Sequence, residues 1–139
     1  MATDMEQHKD FLEKFKSIQE KYIQTDKDHR QLLAQIVLKA ADLSNTVRDF
    51  NEANRMALQL CKETHRQGDE EKRLGLPVSP MCDRDDKTPL CKGQIGFYKF
   101  VARPLMKELH DFFPDLSDNE RQFVENLATW EKMTAELEQ

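Results

Sequence analysis

"LLAQIVLKAADLSN", residues 32–45, decides how this chain is read. Leu32, Leu33, Ile36, Val37, Ala40 and Ala41 recur at helical spacing and mark one apolar face. Asp42 stands beside that face. A carboxylate at an apolar edge must reach water, local backbone donors or a cation, because burial without a partner is costly. Ser44 and Asn45 follow at once, both common near helix ends, so an outward turn to water or to backbone donors is the ordinary reading. A divalent cation is the functional one.

The same periodicity runs outward in both directions. Upstream, Met5, Leu12, Phe15, Ile18 and Tyr22 form a stripe with His8 on its border, and "QTDKDHR" separates it from the segment at 29–44. Downstream, Asp49 with Glu52 forms a capping box for a helix that sets Phe50, Ala53, Ala57, Leu60 and Thr64 on one face. Gly68 ends or bends that helix. An irregular stretch, "LGLPVSPMCDRDDK", follows, of the kind that carries function or moves. Thr88-Pro89 signals the next start, and Pro104 kinks or divides the helix bearing Ile95, Phe97, Val101, Leu105 and Leu109. Ser117 and Glu120 cap the last helix, with Phe123, Val124, Leu127, Trp130 and Leu137 as its stripe. No alternating run reads as a strand. The fold class is all-α, with about five to seven helices in one domain over 1–139.

The 139 residues carry a net charge of −5, and their basic residues are scattered among acidic ones, which excludes the basic stripe of a nucleic-acid binder. No apolar run nears the ~18 residues of a membrane span. "MATDMEQHKD" is too polar for a signal peptide. Cys61, Cys82 and Cys91 are odd in number and lack a C-x-x-C spacing, which reads as three reduced thiols in a cytoplasmic protein.

"KGQIGFYKF", residues 92–100, holds the second candidate chemistry. Gln94 and Phe97 project from one side of a helix. A primary amide beside a phenyl ring suits a flat heteroaromatic ring, the amide at its edge and the phenyl on its face. The plainer reading makes Phe97 core and Gln94 solvated.

Taken in order, "ATDMEQH", "KAADLSN", "RQGDEEKRLGLPVSPMCDRDD" and "KGQIGFYKFVARPL" resemble the C-terminal portion of the class I cyclic nucleotide phosphodiesterases, over nearly the whole chain. The resemblance implies an all-helical catalytic domain that hydrolyses the 3′,5′-cyclic phosphate of cAMP or cGMP to the 5′-monophosphate by two-metal chemistry, with zinc and magnesium (or manganese) as cofactors. It makes Asp42 a direct metal ligand and sets Thr3 near the second metal's water shell. It gives Gln94 and Phe97 to the purine, with Leu60 as the opposite jaw, Asn45 at the base edge, and Met5 and Met81 lining the pocket.

The family's metal-binding histidines, its H-D aspartate and its acid histidine lie upstream of "ATDM", so this chain holds no catalytic acid. By itself it is expected to lack significant hydrolytic activity, and its binding of the metals is in question. Ala53 stands where some members carry a tyrosine that orients the glutamine, and an unclamped amide flips to suit adenine or guanine. "SNTVR" and "GLPV" resemble a cGMP-preferring branch, whereas the glycine before Gln94 and the loop length resemble others, kinetoplastid enzymes included. A different reading is a non-catalytic helical module that self-associates through an exposed apolar face.

Overall fold

A computed structural model describes residues 2–138, with side chains from His8 to Glu138. Among the described residues there are six α-helices: α1 (Ala2–Gln19), α2 (Lys27–Asp42), α3 (Phe50–Arg73), α4 (Leu90–Phe97), α5 (Arg103–Phe112) and α6 (Ser117–Leu137). No strand occurs among the described residues, as the sequence predicts. None of the described helices is long and apolar enough to cross a membrane.

Two clusters make the core. Phe15 of α1, Ile36 and Ala40 of α2, and Leu105 and Leu109 of α5 form one. Ala57, Cys91, Tyr98, Ala102, Phe123, Leu127 and Trp130 form the other, joining α3, α4 and α6. Between them, Asn126 is fully buried and donates to the carbonyls of Thr46 (3.0 Å) and Arg48 (2.8 Å), which fastens the 3-10 turn Ser44–Val47 to α6. The Thr46 carbonyl also accepts from the Tyr98 hydroxyl at 3.4 Å, so of the two it is the Arg48 carbonyl that depends on the amide.

Local signals held in part. Asp49 caps α3 by accepting from the Glu52 N–H at 3.2 Å, but the Glu52 carboxylate turns to Arg55 and does not close the box. Ser117 caps nothing: a 3-10 turn at Pro114–Leu116 already runs into α6, so Ser117 is helical itself and Glu120 faces His110. Pro89, not Thr88, takes the cap position of α4. Val124 and Leu137 of the predicted last stripe are exposed, while Asn126 is buried.

Gly68 corrects the sequence reading more sharply. Helix α3 runs straight through it, because the glycine is a packing site and not a terminus. A Cβ there would stand 1.9 Å from the Cys82 carbonyl oxygen. The helix ends instead at Gly75, whose φ of +69° closes a Schellman turn in which Leu76 N–H donates to Glu71 O and Gly75 N–H to Lys72 O. Pro104, in turn, does not break the α4–α5 rod. The chain widens into a π turn at Tyr98–Ala102 just before it, which makes room for a ring that would collide with a carbonyl four residues back.

Candidate base-binding cleft

Helix α3 presents Ala57, Leu60, Cys61 and Thr64 along one side, and α4 presents Gly93, Gln94 and Phe97 opposite. The segment 74–89 closes the space between them, giving a cleft of about 500 Å³. That segment is irregular but firmly held. The Glu71 carboxylate accepts from the Ser79 N–H and hydroxyl, both at 2.7 Å, and from Gln67 at 2.8 Å. These donors hold its carboxyl below the usual range, the Gln67 amide most of all. Lys72 bridges Asp83 and Asp85, and Arg84 grips Asp69.

The segment delivers Met81 to the cleft through a tight turn at Ser79–Cys82. Cys82 N–H donates to Ser79 O at 3.0 Å, and Met81 takes a φ of +67°. Pro80 suits the second position of such a turn, but a positive φ on methionine stores about 1 kcal/mol or more of strain. The Met81 methyl lies over Gly93 of α4, where a Cβ would make an ordinary contact with it at 3.7 Å.

Gln94 is the polar centre of this cleft. The residue as a whole is 7% exposed, but its amide nitrogen and oxygen are not among the buried atoms left without a partner, so the polar end opens into the cleft, where solvent or a ligand meets it. Phe97 is half-buried one turn along, and Leu60, 51% exposed, stands across on α3. Four of the residues that the sequence resemblance gives to the base, Leu60, Met81, Gln94 and Phe97, thus line one space.

The remaining assignments fall elsewhere. Asn45 lies in the 3-10 turn and does not line the cleft. The side chains of Thr3 and Met5 lie outside the described residues. Asp42 is exposed at the end of α2. At 3.6 residues per turn it points roughly 160° away from Ala40, so the carboxylate meets no desolvation cost. Val37 and Ala41, predicted for the core, are exposed as well, because the buried face is centred on Ile36 and Ala40. They edge a second cavity of about 390 Å³ between α2, α5 and α6, which Asp42 does not line either. No three His, Cys, Asp or Glu side chains gather among the described residues, so the residues described do not by themselves fit a metal centre.

The comparison with known proteins bears on this geometry. The model of the 3′,5′-cyclic nucleotide phosphodiesterase family matches residues 1–123. The chain belongs to that family. The human high affinity cGMP-specific 3′,5′-cyclic phosphodiesterase 9A is 39% identical over 114 residues, 82% of this chain and 19% of the relative. The cGMP-specific 3′,5′-cGMP phosphodiesterase 3 of Dictyostelium discoideum is 34% identical over 130 residues, 94% of this chain and 28% of the relative. Among solved structures, LmjPDEB1 in complex with IBMX superposes with a TM-score of 0.89 at 32% identity, covering 96% of this chain and 41% of that one. The chain therefore spans a minor part of the phosphodiesterases it matches, with their all-helical architecture.

Three lining residues escaped sequence reasoning in their role: Cys61, His65 and Cys82. The first two were legible in principle, since 57, 61, 65 and 68 continue one side of α3 at helical spacing. Cys82 was not, because its place depends on the Gly68 contact.

Proposed function

We propose that this chain forms the base-binding wall of a cyclic nucleotide pocket in a phosphodiesterase that hydrolyses cAMP or cGMP to the 5′-monophosphate. The observation that carries this reading is the Gln94 side chain, largely buried with its amide open to a cleft that has Phe97 and Leu60 on opposite sides. The amide offers one acceptor and two donor hydrogens to a purine edge, and the phenyl and leucine cover its faces. Met81 closes the space. With no protein group fixing its orientation, the amide turns to match either purine.

Asp42 and Thr3 are this chain's contribution to the zinc and magnesium centre that the resemblance implies, with the other ligands and the acid histidine supplied by residues not among these 139. By itself the chain binds nucleotide without turning it over. Asn45 and Met5 extend the pocket beyond the cleft described above.

The test is nucleotide-protected unfolding of the 139-residue chain with 5′-GMP, 5′-AMP, cGMP and cAMP. At ten times Kd a bound nucleotide adds about 1.4 kcal/mol and raises Tm. Gln94→Ala is expected to abolish the shift while leaving the Tm without nucleotide nearly unchanged. An equal shift in the variant, or none in the parent, overturns the pocket. Turnover of cGMP with added magnesium or zinc at the rate of a complete domain overturns the inactivity.

Val37, 46% exposed, and Val124, 52% exposed, at the rim of the second cavity favour one further reading, self-association of the chain through this side. A Tm that rises with protein concentration and ignores nucleotide supports it.

A further inference from the structure

Cys61 and His65 stand one turn apart on α3, both on the wall of the cleft, with Cys61 Sγ 3.6 Å from His65 Nε2 and 3.9 Å from Nδ1. The other two thiols are sequestered: Cys82 is 5% exposed and Cys91 3%, whereas Cys61 is half-buried. Charged groups face the pair from two elements, Asp69 on α3 and Asp83 and Arg84 on the connecting segment. Arg84 is itself held by Asp69 at 2.6 Å. The cleft that the thiol borders also takes the polar end of Gln94, a residue 7% exposed overall whose amide opens into the same space.

We propose that Cys61 and His65 form a thiol–disulfide exchange site on the cleft wall, taking low-molecular-weight disulfides of the glutathione disulfide class, and that the resulting adduct occupies the cleft. The Cys61 proton passes to a His65 ring nitrogen. The Sγ electron pair attacks one sulfur of the disulfide and forms the new S–S bond. The old S–S bond breaks, its electron pair leaves on the second sulfur, and that sulfur takes the proton back from the imidazolium as a free thiol. The thiolate is the attacking species, and His65 stands within reach to take the proton in the exchange step, without a metal. Burial pushes the Cys82 thiol's pKa up, with the Glu71 charge adding to it, so Cys82 does not compete.

A tripeptide on Cys61 fills much of a cleft of about 500 Å³. That the adduct displaces a nucleotide rests on the function proposed above; the exchange chemistry does not.

The experiment incubates the full chain with glutathione disulfide and follows intact mass and peptide maps over pH 6 to 9. The expected result is one adduct, at Cys61, with Cys82 and Cys91 modified only after unfolding. His65→Gln is expected to slow the reaction at neutral pH about fivefold or more and to restore the steep pH dependence of an ordinary thiol, with Cys82 and Cys91 still protected as proof of folding. Equal modification of all three cysteines, or an unchanged rate in His65→Gln, overturns the site. Added 5′-GMP should slow modification of Cys61. If it raises Tm through Gln94 but leaves the modification rate unchanged, the shared-cleft claim fails. If it does neither while Cys61 remains selective and His65-dependent, the nucleotide reading fails and the exchange site stands.

Discussion

The two ends of the molecule that the sequence singled out are finished to different degrees. Around Gln94, the chain lines a cleft with α3, α4 and a segment without regular structure that is nonetheless tied down by Glu71, Lys72 and Arg84. Around Asp42, a regular helix ends in solvent, with Leu38 65% exposed and Val37 46% exposed on neighbouring turns. Regular secondary structure therefore does not mark the completed site here. Side-chain anchoring does. An irregular segment with its carboxylates and ammonium paired builds a cleft, while the regular helix end at Asp42 encloses nothing.

The sharpest way to break this contrast is at Gly68. Gly68→Val places atoms where the Cys82 carbonyl lies, 1.9 Å from the nearest Cβ position, so either α3 or the segment must move. A loss of about 3 kcal/mol in denaturant unfolding is expected, together with loss of the nucleotide-induced Tm shift. A variant of unchanged stability would mean that the segment is not seated on α3.

Next comes Asn126→Ala, which leaves the Arg48 carbonyl without its donor and the Thr46 carbonyl with only the Tyr98 hydroxyl. A cost of about 2 kcal/mol, read from the urea midpoint at constant m-value, is expected. It should leave nucleotide protection intact, because the cleft does not use this joint.

A smaller and more local effect follows from acid. The carboxyls of Glu71, Asp69 and Asp83 all lie below their ordinary range, through Gln67 and Ser79, Arg84, and Lys72 respectively. A lowered carboxylate contributes stability that is fully present above its unfolded pKa and lost as pH falls through the folded one. Amide protection factors for residues 79–88 should thus be flat at neutral pH and fall below the ordinary carboxylate range, before α6 loses protection. Coincident loss in both regions would show that the segment has no stability of its own to lose. Least of all, Leu38→Ser is expected to change stability by no more than about 0.5 kcal/mol, since the side chain is already in water. A large loss by thermal unfolding would show that this face is covered, by a second copy or otherwise.

Reading ahead from the residues succeeded where the physics is local. Asp49 capped its helix because an aspartate, an extended backbone and a free N–H three residues on suffice. Gln94 and Phe97 share the cleft because one turn of helix separates them. It fell short where two distant stretches meet. Nothing near Gly68 announces that Cys82 will arrive there, and a glycine late in a helix looks like an end. Ser117 has every mark of a cap, yet the turn before it starts the helix early. The α2 stripe was read too wide, because period alone does not say which of six apolar residues finds a neighbour.

The sequence alone determined that this chain is helical, that it belongs to the cyclic nucleotide phosphodiesterase family, and which amide and ring stand together. Those properties come from spacing within one helix and from blocks of residues kept in order. Only the tertiary structure decided that the glutamine's amide opens into a cleft, that the irregular segment is a wall, and that Asp42 stands in water. Each of these depends on what a residue distant in sequence does with its backbone and its charge, and helical period carries no information about that.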